Sequence, residues 1–566
     1  MRARILTLVL LGISVLSQGQ AKPSSAWKQD LDYVVRQLVE THPNLYRRIS
    51  KKDFDASVEK LRRDLPSLSD DEIAVRLMQL VASVRDEHTS LYPAAGSAEG
   101  KWFPVRFYRF TDGLVITAVD KRFPELAGAR VVRVGDLSAE EACERAQSVF
   151  SSDNPSGALD APFVLASPRV VRGLHISSRS DALTLRVTTR SGEERTVEIP
   201  AVAGKGGFDF YQYGEMFGPV DDLVTAFGGR VPDAFLLDPD KNTDLPLHLR
   251  GRRAFWFTYE PQKALLYFQL NSVREKSKYS RETLTQTMQR MLTFADLHPV
   301  ELFVLDLRYN SGGNGALNEG IMREFIKRDS TFNRPGHLFV LVGRKTYSAA
   351  ADLAMRMLRH TNSAFVGEPI GASPNGSGDP DSSTLPFSGM HLAISTNYVI
   401  GGRSKDMSWE VPVEFPAQSS SAQYFAGTDP AMDVVLDPAQ HADVIDVLLR
   451  DGGAKARALY DERKRRFGTL LWWQPFERNN MNHEGYHLLE QGRKDDAVVA
   501  FEMNADRYPG SWEQWDSLAE GLMGAGRNRE AIAAYRKALA ISPNNFNAGF
   551  AKKSIEKMEA ELAKAR

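Results

Sequence analysis

A serine hydroxyl attacks a carbonyl only if one group takes its proton and others steady the oxyanion that forms. Ser348 stands where both could be arranged. It closes the turn Gly343-Arg344-Lys345-Thr346-Tyr347-Ser348, which follows a predicted strand over 337–342. A helix start follows at once, Ala349-Ala350-Ala351-Asp352-Leu353-Ala354-Met355. A strand-to-helix turn exposes the hydroxyl and sets it beside the positive end of a helix. The same spacing also describes an ordinary helix cap, the commonest use of serine in such a place. Spacing alone leaves both readings open. A second segment, Val304-Leu305-Asp306-Leu307-Arg308-Tyr309-Asn310-Ser311-Gly312-Gly313-Asn314, runs a buried strand into a glycine pair. There the backbone turns tightly and presents N–H groups without side chains in the way.

Two other features invite chemistry. His483-Glu484-Gly485-Tyr486-His487 matches His-Glu-x-x-His, in which two imidazoles on one helix face hold zinc and the glutamate activates water. A zinc site needs a third protein ligand, for which Glu502 and Glu513 are the candidates. The motif falls inside a helical repeat, where Gly485 and Tyr486 occupy ordinary small and aromatic packing positions, so a chance match is the better reading. No metal and no cofactor is expected. Cys143 is the only cysteine, which excludes intramolecular disulfides and cysteine-based zinc sites. It lies in an apparent helix with no nearby histidine, as a small core residue would.

Several elements must carry these residues. A chain of 566 residues exceeds what one hydrophobic core holds. The 71 Lys and Arg balance 72 Asp and Glu, which gives no electrostatic reason to expect nucleic acid. Arg2 and Arg4, the apolar run 5–15 and small residues near Ala21 read as a secretory signal peptide over 1–21. An exported, periplasmic or extracellular protein is the expectation, tethered to a membrane only if that signal stays uncleaved. Trp27, Leu31, Val34 and Leu38, then Ile73, Leu77, Leu80 and Val84, recur at helical spacing, so 25–98 reads as a helical unit. Short strands with a hairpin at Ser191-Gly192 fill 100–205. Strands at 302–307, 338–342 and 364–366 alternate with helices within 250–450, one of them capped by Ser280 and carrying Leu284, Met288, Met291 and Leu292. In the last hundred residues, Gly492 and Gly526, Ala497 and Ala531, Phe501 and Tyr535, and Pro509 and Pro543 are each 34 apart. That is the tetratricopeptide period, and it predicts all-α repeats over 470–566, a surface suited to a protein partner.

Read together, the motifs resemble a known family. Asp306-Leu307-Arg308-x-Asn310-x-Gly312-Gly313, Tyr347-Ser348-Ala349-Ala350 and Val366-Gly367-Glu368-Pro369 follow the order of the tail-specific (C-terminal processing) serine peptidases. Thr41-His42-Pro43-Asn44-Leu45-Tyr46, Asp86-x-His88-Thr89 and Gly427-Thr428-Asp429-Pro430 extend the match. The resemblance implies a multidomain α/β protein with a crotonase/ClpP-like protease core, acting on peptide or unfolded protein. It implies Ser348 as nucleophile, with an oxyanion hole from the Ala349 N–H and that of Gly312 or Gly313. One branch of the family draws its base from a lysine about twenty-five residues after the serine. Here Gly367-Glu368-Pro369-Ile370-Gly371-Ala372-Ser373-Pro374 holds none. The other branch, similar to the tricorn core protease, takes it from Asp-Gly-His-Thr, matched by Asp86-Glu87-His88-Thr89 with Glu87 in place of the glycine. His88 is then the base, since a neutral imidazole accepts a proton at working pH. The acid orienting it would be Glu410, while Glu368 would tie down its own loop. Leu126-Ala127-Gly128-Ala129 and Val131-Val132-Arg133-Val134-Gly135-Asp136 resemble the core of a PDZ domain, which binds peptide ends at a sheet edge. A binding protein that kept the fold and lost catalysis is the alternative, with a zinc peptidase built on His483 and His487 behind it.

Overall fold

The computed structural model describes residues 24–93, 101–203, 223–225 and 243–564, apart from 252, 277–281, 330, 403–406, 412 and 470–472. The signal-peptide segment lies outside the described residues, and so does Ser280. Among the described residues no helix is long and apolar enough to cross a membrane.

The centre is a six-stranded sheet in the order Phe255–Glu260, Leu265–Leu270, Leu302–Asp306, Leu338–Val342, Ala364–Gly367, Phe415–Pro416. The first pair is antiparallel and every later pairing is parallel. Strands such as Leu-Phe-Val-Leu-Val at 338–342 are apolar without alternation because both faces are covered. Helices Leu284–Leu297 and Ala349–His360 close one face with Met288, Met291 and Leu353, and Met432 and Val435 from helix Pro430–Leu436 close the other. The first of these helices is capped by Thr283 in a capping box with Gln286, not by Ser280. Thr-x-x-Gln is the stronger N-terminal signal, since the two side chains satisfy each other's backbone N–H groups.

The N-terminal helices Ser24–Thr41, Lys51–Asp64 and Asp70–Ala82 bury Trp27, Leu31, Val34, Ile73 and Leu77, as their periodicity predicts. They do not form a core of their own. Those side chains join Val164, Val170, Leu185 and Leu392 in one apolar cluster, which fuses the helices to the β-module and to a strand beyond Ser348. The strand Ser90–Tyr92 completes the union by pairing antiparallel with His391–Ile400, whose other neighbour is Asn375–Thr384.

The β-module runs Leu223–Thr225, Gly113–Asp120, Arg130–Val134, Ala182–Thr188, Glu194–Pro200, with Val105–Phe110 paired to the second of these. Its hairpin sets Leu183 opposite Ile199 and Val187 opposite Arg195. Cys143 is buried in helix Ala139–Gln147. The stretch 148–181, read from sequence as part of the strand-rich module, is instead short helical turns at Pro155–Ala158, Ala161–Ala166 and Pro168–Gly173. Each carries a proline in its first turn, where the missing N–H costs nothing.

At the C-terminus, helices Arg478–Glu490 and Lys494–Arg507 are followed by Trp512–Gly524 and Asn528–Ile541, each pair displaced by the repeat length, and Ala548–Lys564 ends the array. Phe501 sits between Gly485 and Gly521, where an added Cβ would come within 2.5 and 2.6 Å of its ring. The glycine of the zinc-like motif is therefore a packing requirement. Glu484 lies 3.6 Å from His487, whose other nitrogen meets Gln491, and Glu502 and Glu513 face Arg527 and Arg478. Among the described residues no group of three or more His, Cys, Asp or Glu side chains is placed to hold a metal ion.

Candidate active site

Ser348 ends the turn after the strand Leu338–Val342 with φ +52° and ψ −129°. A non-glycine residue at such angles costs on the order of 1–3 kcal/mol and persists only where its surroundings over-determine it. The hydroxyl does not cap the helix Ala349–His360, as one reading of the spacing had it. It lies instead 2.9 Å from His88 Nε2, across 260 positions of sequence.

The turn is held from several sides. Asn310 accepts the Tyr347 N–H on its carbonyl oxygen, donates from Nδ2 to Leu270 and accepts the Gly312 N–H on Oδ1. Arg344, within the turn, pairs with Glu368 at 2.8 and 3.1 Å, so Glu368 secures the serine's loop as well as its own. Arg308 bridges Asp306 and Asp429 through contacts of 2.6 to 2.9 Å, which ties the Asp-Leu-Arg segment to Gly-Thr-Asp-Pro. Lys345 is held by Asp160 at 2.7 Å.

The glycine pair supplies space and one donor. A Cβ on Gly312 would lie 2.5 Å from Ser348 Cβ and 2.9 Å from the Ala349 nitrogen, so only glycine fits. Its N–H is spent on Asn310, which removes Gly312 from the expected oxyanion donors. The N–H groups of Gly313 and Ala349 have no partner among the described residues, and both residues line the cleft at Ser348. That cleft has a volume of about 430 Å³, with His88, Asp379 and Arg356 also on its walls.

His88 is delivered by a loop built around Asp86. This buried carboxylate accepts from His42 Nε2, from the Thr89 and Ser395 hydroxyls and from the His88 N–H. Glu87 does not adopt a positive φ, so its place needs no glycine, and its N–H donates to Asp153 Oδ1 at 2.9 Å. Enclosure lowers the His88 pKa, against the opposing charges of Asp86 and Asp379, and the ring is held neutral.

Glu410 is not where the resemblance put it. It is exposed and shares no hydrogen bond with His88. The Nδ1 atom is met by the Tyr347 hydroxyl at 2.7 Å, which in turn lies 3.4 Å from Asp153 Oδ1. Sequence reasoning quoted Tyr347 only as a neighbour of the serine and missed Asp153. The one trace of Asp153 in the sequence is the polar run Ser151-Ser152-Asp153-Asn154 ahead of Pro155.

No family model matches the chain, and no curated protein matches it by sequence. Solved structures do. A mutant of CPAF is 10% identical over 75% of this chain and 98% of its own, with a TM-score of 0.52. The photosystem II D1 C-terminal processing protease is 14% identical over 72% of this chain and 98% of its own, with a TM-score of 0.33. The tricorn protease, at 10% identity and a TM-score of 0.36, is covered over 37% of its length against 74% here. The likeness to CPAF identifies the fold.

Proposed function

We propose that this chain is a serine-type peptidase with Ser348 as nucleophile and His88 as base. The 2.9 Å contact between Ser348 Oγ and His88 Nε2 carries the reading. It joins a nucleophile to a proton acceptor on the wall of the cleft, and the serine holds a strained φ of +52° there. In the forward step the Ser348 proton passes to His88 Nε2 as Oγ bonds the substrate carbonyl carbon. The oxyanion is received by the Gly313 and Ala349 N–H groups, each donor worth on the order of a hundredfold in rate. The imidazolium then gives its proton to the departing amine as the C–N bond breaks, and water repeats the sequence to free the acid.

The fold shared with CPAF fits this chemistry, and peptide or unfolded protein is the substrate class. The strand-rich module is read as PDZ-like, and the C-terminal helical pairs as tetratricopeptide repeats that hold a protein partner. Export to the periplasm or outside remains part of the proposal. The test is labelling with a fluorophosphonate, which reacts only with an activated serine, beside peptidase assays on unstructured peptides. The parent should label and cleave, while Ser348→Ala and His88→Ala should do neither. Equal cleavage by parent and Ser348→Ala would remove Ser348 from the chemistry.

A further inference from the structure

The contacts that begin at Ser348 do not end at the imidazole. The rings of His88 and Tyr347 lie 4.6 Å apart, tilted by 31°, with Nδ1 2.7 Å from the tyrosine oxygen. The same hydroxyl faces Asp153 Oδ1 at 3.4 Å. Asp153 is 6% exposed and firmly seated. Oδ1 takes the Glu87 N–H, its carbonyl takes the Ser373 hydroxyl, and the next residue, Asn154, clamps the carbonyls of Ile370 and Ala372.

Proton bookkeeping gives the direction of these bonds. A neutral imidazole carries one hydrogen, and a base facing Ser348 must have its lone pair on Nε2. The hydrogen therefore sits on Nδ1, where the Tyr347 oxygen at 2.7 Å accepts it, while the Ser377 carbonyl is a further acceptor against the ring. The tyrosine hydrogen must then point elsewhere, and the Asp153 carboxylate is the acceptor that it meets. With the opposite polarity, Tyr347 would donate to Nδ1, the hydrogen would move to Nε2, and Ser348 would face a nitrogen unable to accept.

We infer that Asp153, acting through the Tyr347 hydroxyl, is the positioning residue that selects the reactive tautomer of His88 and steadies the imidazolium. The role expected of Glu410 is thus filled from the bend that leads into the turn Pro155–Ala158. This inference rests on the peptidase reading. The 3.4 Å contact is longer than an ordinary O–H···O bond, and catalytic hydrogen bonds commonly tighten once substrate binds. Burial and the neighbouring Asp86 charge push the Asp153 carboxyl up to about 7, with Arg47 opposing them. His88 and Tyr347 are the other titratable groups against this carboxylate, and Asp379 acts on His88. Asp153 therefore loses its charge as the pH falls through about 7, and the acylation rate should fall with it.

The experiment measures the fluorophosphonate labelling rate against pH for the parent, Tyr347→Phe and Asp153→Asn, with melting curves as a control for folding. Nitrogen NMR of the histidines, assigned with His88→Gln, reads which ring nitrogen carries the hydrogen. Tyr347→Phe keeps the ring and should label about a hundredfold more slowly, without the step near neutrality. Asp153→Asn can donate to the tyrosine oxygen, so it should shift the His88 hydrogen from Nδ1 to Nε2. A folded Tyr347→Phe that labels at the parent rate with the step intact overturns the relay and leaves the peptidase reading standing. A parent that never labels overturns the peptidase reading, and NMR still decides the relay: a shift of tautomer supports it, and the same tautomer in both proteins overturns it.

Discussion

His42 donates from Nε2 to Asp86 Oδ2 at 3.0 Å, and its hydrogen must lie on that nitrogen because Nδ1 accepts the Asn44 N–H. Asp86 collects three further donors, from Thr89 and Ser395 at 2.6 Å and from His88 at 3.1 Å. The motifs Thr-His-Pro and Asp-x-His-Thr are thus one device. A histidine that is not among the residues lining the cleft fixes the loop of the one that is.

Asp86→Asn should therefore cost about 3 kcal/mol of stability and abolish labelling at Ser348, because the charged acceptor of several buried bonds is lost. Burial pushes this carboxyl up, but bonds from His42, Ser395 and Thr89, with His88 beside it, hold it below the usual range. A depressed carboxyl contributes stability above its unfolded pKa and loses that contribution as the pH falls. Denaturant midpoints should drop in acid for the parent and less steeply for Asp86→Asn.

Ser348→Gly should be more stable than Ser348→Ala by about 1 kcal/mol, because glycine accepts φ +52° without strain. Both variants should be inert to the fluorophosphonate. Equal melting temperatures would show that the turn relaxes and stores no strain.

Arg308→Met should destabilise the chain by about 3–5 kcal/mol in urea, since it strands the buried carboxylates of Asp306 and Asp429 without their shared cation. The loss should appear as a lower midpoint with little change in slope. Asp429 caps the helix Pro430–Leu436, so that helix should exchange its amide hydrogens first.

Chelators should leave peptide cleavage unchanged, and so should His483→Ala combined with His487→Ala. Gly485→Ala, by contrast, should unsettle the repeat, since its Cβ would press into Phe501.

The parts of the site written in short contiguous motifs were legible. Ser348 follows a strand and precedes a helix, and Gly312 and Gly313 sit where the backbone has φ +111° and +140°. Asp153 was hidden because its segment folds as proline-led turns, with no period to mark a face. Tyr347 was visible as a letter, but only the fold turns its hydroxyl toward His88. Glu410 lies in a stretch held through its backbone by Arg48 and Ser373, and its own side chain ends in solvent away from His88. That the N-terminal helices share one apolar cluster with the strand-rich module was hidden for a related reason. Periodicity shows that a helix has an apolar face, not which element covers it.

The pairing of Ser90, Leu91 and Tyr92 with Ala393, Leu392 and His391 has a consequence for the order in which the molecule becomes competent. During synthesis the serine and its amides leave the ribosome before the strand that clasps the histidine's loop. On the peptidase reading, the growing chain then carries a nucleophile without its proton acceptor until that strand has emerged. A chain wired this way stays silent through the making of its serine loop and arms itself only once His391–Ile400 has emerged.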